Sequence, residues 1–195
     1  MHHIPLTAPT PPPPPAAVWV VRHSAFLAHV TIGGLLVTFG VLALTSIAEL
    51  QRREAATSAW VLDNLLHRPA WVLPSSPTVL FQKRPGDDAS WAGLVVTADC
   101  SAAYFVGGTL LAAGLLALLW RRARLRRLFT AAVDTALLLL LVNTVHIVVV
   151  AEAASRWGAA GSEWTHSAVG PALMIATLCI SGTVFARAQA GGRHR

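Results

Sequence analysis

Cys100, His146 and His166 are the residues of this chain whose types could combine in covalent chemistry. Cys100 stands in "VTADCSAAYFV", where a polar loop passes into a long apolar run. Its thiol is either a small buried group at a helix start or a nucleophile. Unpaired N–H groups at a helix N-terminus favour the thiolate, and a nearby imidazole would do the same. His166, in "THSAVG", is either an interfacial residue with no special role or a general base. His146, in "NTVHI", either donates a helix-packing hydrogen bond or joins the same site. A metal centre of Cys100, His146 and His166 is a further option, but tight spacings such as HxxxH or CxxC are missing, so neither metal nor other cofactor is expected. A serine hydrolase is disfavoured because Ser101 and Ser167 lack a Gly-x-Ser-x-Gly setting. Cys179 sits among Leu, Ile and Ala and reads as a packing residue. It lies 13 residues beyond His166, which puts it roughly 20 Å deeper in a helix. A disulfide needs Cα atoms within about 7 Å, so Cys100 and Cys179 should not pair.

The elements that must position these groups read as membrane helices. The chain has 195 residues, 54% hydrophobic and 12% charged. Ala25–Ala48, Ser101–Trp120, Ala131–Ala151 and Ala168–Ala186 are apolar blocks of 24, 20, 21 and 19 residues. About 20 apolar residues in a helix cross a bilayer core. The expected fold is therefore an all-α polytopic membrane protein with four transmembrane helices. Residues 1–22 read as a disordered Pro-rich tail, 23–187 as the membrane domain and 188–195 as a basic tail. Between the first two spans, "AELQRREAATSAWVLDNLLHR" predicts a surface helix through Leu50, Trp60, Val61, Leu65 and Leu66, ending before Pro69. "TVLFQKRPGDDASWAGLVVTAD" predicts a β-hairpin leading into Cys100.

Charge sets the orientation. The formal net charge of +6 follows topology and does not call for nucleic acid. "RRARLRR" holds five arginines in seven residues between the second and third blocks. Short basic loops stay in the cytoplasm. Both termini are then cytoplasmic, and the loops at 49–99 and 152–165 lie outside. The inside segments hold nine Arg/Lys and no acid; the outside loops hold six Arg/Lys and eight Asp/Glu. On this topology Cys100 and His166 sit at the outer boundary. His146 lies five residues below the end of its span, or roughly 7–8 Å down. Asn143 is one turn deeper on the same face.

"ADCSA" opening a span, an arginine-rich inner loop, "NTVHI" late in the next span and "THSAVG" opening the last together resemble the exosortase/archaeosortase family over roughly residues 78–186. The resemblance implies a cysteine transpeptidase at the outer face of the cell membrane, in contact with lipid. Its partners would be exported proteins with a C-terminal motif, a transmembrane helix and a basic cluster. It implies Cys100 as nucleophile followed by Ser101, Asn143 and Ile147 from an Asn-x-x-Arg-Ile motif, and His166 as the family histidine. His146 stands where that motif has Arg. It would then stabilise the tetrahedral oxygen, with Arg156 as an alternative cation reaching back from the outer loop. The alternative function is a catalytically degenerate, sortase-like membrane binding or scaffold protein. The chain also looks like a compact relative, since many members have more spans.

Overall fold

The structure, a computed structural model, describes residues 15–84, 86, 87, 90–120 and 124–190. It is mostly helical with one small sheet. Helix α1 spans Pro15–Thr45 and α2 Ile47–Asn64. Strands β1 (Ala70–Val72), β2 (Thr78–Gln82) and β3 (Trp91–Val95) follow. A 3-10 turn at Ala98–Cys100 leads to α3, Ala103–Leu119. Helix α4 spans Leu125–Trp164, a π turn covers Thr165–Val169, and α5 spans Gly170–Ala190.

Among the described residues two helical stretches are long and apolar enough to cross a membrane, Ser24–Thr45 and the 60-residue Leu125–Val184; Ala103–Leu119 is a shorter apolar helix of 17 residues. This corrects the expectation of four separate spans. The second block loses its start because Ser101 and Ala102 belong to the turn that follows Cys100, not to α3. The third and fourth blocks fall within one stretch, which turns back on itself at Gly158. There φ is 67° and ψ −153°, a conformation outside the helical region that glycine adopts without Cβ strain. The two arms then pack antiparallel. Leu139 meets Met174 in one apolar cluster, and the ring of His146 lies against Gly170.

The expected tail at 1–22 falls partly on residues that the structure describes. Residues 1–14 lie outside the described residues, but 15–22 are the first turns of α1. Pro15 at the first helical position loses no intrahelical bond and has a helix-ready φ. Arg121 and Arg122 of the basic loop and residues 191–195 of the C-terminal tail lie outside the described residues.

Helices α1 and α3 pack through a reciprocal set of glycines. A Cβ on Gly33 would lie 3.1 Å from the Gly114 carbonyl, and one on Gly40 would lie 2.9 Å from the Gly107 carbonyl. Both helices place these glycines seven residues apart, so the backbones touch at two successive levels. Close approach of this kind lets the two backbones gain dispersion contacts along the seam.

The sheet is an antiparallel meander in the order β1-β2-β3, with Val79 opposite both Val72 and Leu94. The expected hairpin is thus present, extended by β1, which no periodicity announced. Its turn residues Pro85, Asp88 and Ala89 lie outside the described residues. Val79 and Phe81 point from β2 into a core with Ala55, Ala59 and Leu62 of α2 and Ile147, Val148 and Ala151 of α4. Burying Leu62, Val79 and Phe81 contributes roughly 1.5–3 kcal/mol each. Arg68 locks this layer to α4. Its Nε lies 2.8 Å from Glu152 Oε1, and its Nη1 donates to the carbonyls of Gln82 and Lys83 at 2.8 and 2.6 Å.

Candidate functional site

The site forms where three chain segments converge beneath the sheet. The 3-10 turn carries Cys100. Helix α4 carries Asn143 and His146, both buried. The π turn carries His166. A π turn closes i→i+5 bonds and adds a residue relative to an α-turn; here the Gly170 N–H donates to the Thr165 carbonyl.

Cys100 Sγ lies 3.3 Å from His166 Nδ1 and 3.6 Å from His166 Nε2. The tautomer of the imidazole decides which nitrogen is free to accept a proton. The His166 and His146 rings stack, with centroids 5.9 Å apart and planes inclined by 21°. His146 is 4% exposed, and its Nδ1 is buried without a hydrogen-bond partner. Gly170 makes room for it, since a Cβ there would sit 2.6 Å from His146 Nε2. Cys100, His146 and His166 line one cavity of about 10 Å³ with Leu94, Val95, Val96, Ile147 and Val150. That volume suits about one water.

A buried polar layer, absent from the sequence reading, supports the cysteine turn. Glu54 of α2 is 4% exposed, and its Oε1 accepts the Ala102 N–H at 2.9 Å. Burial pushes the Glu54 carboxyl above its ordinary value; the Ser101 hydroxyl, the Ala102 N–H and the Asn143 amide pull the other way. Asn143 acts at longer range, because its Nδ2 makes no hydrogen bond of ordinary length and angle. Ser101 is buried, and its Oγ accepts the Ala103 N–H at 3.2 Å. Ser101 and Asn143 therefore face the buried carboxylate, which holds the chain on the C-terminal side of the sulfur. Glu54 shares a helix face with Ser58 and Leu62 at i, i+4 and i+8, a spacing that places it on the buried side of α2 but does not announce its partner.

Arg156 is placed elsewhere. It is 69% exposed and lies 3.6 Å from Glu152, whose carboxylate already holds Arg68. That pairing lies one turn along α4, and Arg156 is not among the residues that line the cavity at the sulfur. Cys179 is exposed on α5, not packed in a core, and both cysteines are free. Among the described residues no group of three or more His, Cys, Asp or Glu side chains is arranged to hold a metal ion. Comparison with family models, characterised proteins and solved structures returns no match.

Proposed function

We propose that this chain is a membrane cysteine transpeptidase of exosortase/archaeosortase type, acting at the outer face on exported proteins with a C-terminal motif, transmembrane helix and basic cluster. The observation that carries the proposal is the 3.3 Å approach of His166 Nδ1 to Cys100 Sγ. In the reaction, His166 takes the thiol proton as Sγ bonds to a peptide carbonyl carbon. The carbonyl electrons move onto oxygen, and His146 faces the resulting oxyanion. The C–N bond then breaks, and His166 returns the proton to the departing amine, which leaves with the client's anchor helix. Water or an acceptor amine attacks the thioester, gives its proton to His166 and releases the thiol.

The apolar outer surface of the helices supports a membrane setting. Large apolar side chains point outward on every long helix: Leu27 and Phe39 on α1, Leu119 on α3, Leu137 and Leu141 on α4, Ile175 and Ile180 on α5. Surfaces of that kind belong against lipid. With the arginine-bearing end inside, Cys100 and His166 face the exterior and both termini the cytoplasm. The second reading, a sortase-like binder without turnover, is favoured by the cavity beside the sulfur, which holds about 10 Å³ and is lined by no arginine among the described residues.

The test is coexpression with an exported protein that ends in a short motif, an apolar helix and a basic cluster. The client's intact mass reports cleavage. Loss of cleavage in Cys100→Ala with full cleavage in Cys179→Ala supports the proposal. Equal processing by both variants ends it.

A further inference from the structure

The free edge of β3 offers peptide hydrogen bonds beside the candidate nucleophile. Val96 N–H donates to the Pro77 carbonyl at 2.8 Å, and Lys83 N–H donates to the Ser90 carbonyl at 2.7 Å. With Val79 opposite Leu94 and Phe81 opposite Ala92, alternation in an antiparallel ladder turns the N–H and C=O of Ala92 and Leu94 toward β2. The N–H and C=O of Trp91, Gly93 and Val95 therefore point to the other side, where the sheet order places no further strand among the described residues. Among the described residues no hydrogen bond uses these groups. The usual protections of an edge, charge or proline within the strand, are absent from Trp91-Ala92-Gly93-Leu94-Val95. Gly93 and Val95 are exposed, and Gly93 brings no side chain to hinder an incoming backbone.

We propose that an extended peptide segment docks on the β3 edge as a fourth strand and delivers its carbonyl to Cys100. This rests on the transferase reading and adds how the client is held. The placement supports it: Leu94, Val95 and Val96 line the same cavity as Cys100 and His166, so a strand paired at Gly93 and Val95 ends beside the sulfur. Recognition through main-chain groups is largely indifferent to sequence and fits a short motif followed by an anchor. It also answers a solvation problem. Unpaired backbone groups near a bilayer need water or a partner, because lipid offers none.

The experiment is hydrogen exchange on the full-length Cys100→Ser protein in lipid discs, with a blocked Ala-Val-Ala-Val-Ala peptide at millimolar concentration. Its form N-methylated at alternate residues is the control. The expected result is about tenfold slower exchange at the Gly93 and Val95 amides with the plain peptide, and none with the methylated one. Gly93→Pro removes one outward N–H while leaving the β2 ladder intact; protection at Val95 should then be lost. No protection, equal protection by both peptides, or protection that appears without peptide and rises with protein concentration (two copies pairing) overturns the proposal. Iodoacetamide labelling of Cys100 in the parent tests the transferase reading separately. An inert thiol with a peptide-protected edge refutes that reading alone.

Discussion

Glu54 Oε1 and the Ala102 N–H meet at 2.9 Å across 48 residues of chain. The contact ties α2 to the residues that follow Cys100, and it is made by a carboxyl buried among Ser101 and Asn143. Its other oxygen, Oε2, has no hydrogen-bond partner.

Glu54→Gln should therefore raise stability at pH 8. The folded state holds this carboxyl above its ordinary value of 4.5, with burial as the main cause. Its contribution is fully present below that value and is lost as pH rises through the raised one. Glutamine keeps the acceptor for Ala102 N–H and cannot ionise. Thermal unfolding of parent and variant should diverge from pH 4 to pH 8, with the variant gaining. A parent that is the more stable protein at pH 8 would contradict this. Glu54→Ala removes the acceptor and should cost about 1–3 kcal/mol at either pH.

His166→Ala should lower client turnover about 10²–10⁴-fold and leave Cys100 in place. It should also slow reaction of Cys100 with a membrane-impermeant maleimide. Cys179, exposed midway along α5, should resist that reagent in intact cells. Peptide mapping of the labelled protein separates the two thiols. A His166→Ala protein that labels as fast as the parent would remove the imidazole from the mechanism.

Gly170→Ala should disturb the histidine pair. The added methyl would sit 2.6 Å from His146 Nε2, so either the ring or α5 must shift. Overpacking of this kind costs about 1–3 kcal/mol. The matched control is Gly108→Ala, where nothing lies within 4 Å. That change should be neutral or stabilise by up to about 1 kcal/mol. Equal thermal midpoints for the two variants would show that the His146–Gly170 contact is slack.

Arg68→Ala should loosen the sheet from α4. The guanidinium holds Glu152 and the carbonyls of Gln82 and Lys83 together. Its loss leaves a half-buried carboxylate and should cost about 2–4 kcal/mol. Limited proteolysis between β2 and β3 reads this directly. Cleavage there at the parent's rate would mean that the apolar core alone fixes the sheet.

The apolar blocks were legible because a run of about 20 predominantly apolar residues is a strong signal. The fold back at Gly158 was not, since a single glycine among "SRWGAAGSEW" marks a turn no more loudly than Gly161 does. Helix α2 was legible as a surface helix, but its buried face was not. Trp60, Leu65 and Leu66 set the expected stripe, yet they are exposed, and the buried face is Glu54, Ala55, Ser58, Ala59 and Leu62. Small residues permit close packing on the sheet, and the large apolar ones turn outward. Cys100 and His166 stood out because thiol and imidazole are rare at span boundaries. Glu54 did not, because its role comes from a contact 48 residues away. Strand β1 is three residues long, too short for an alternation to register.

The π turn at Thr165–Val169 acts as a spacer that separates two demands on the last helix. Seating of α5 along α4 asks for one rotation, and aiming His166 at the sulfur asks for another, about 100° away for each residue gained or lost. Deleting Ala168 would restore a regular helix, so the chain could keep its apolar seam or its imidazole aim, but not both. The register at this end rests on one surplus residue, and the approach of His166 to the sulfur depends on it.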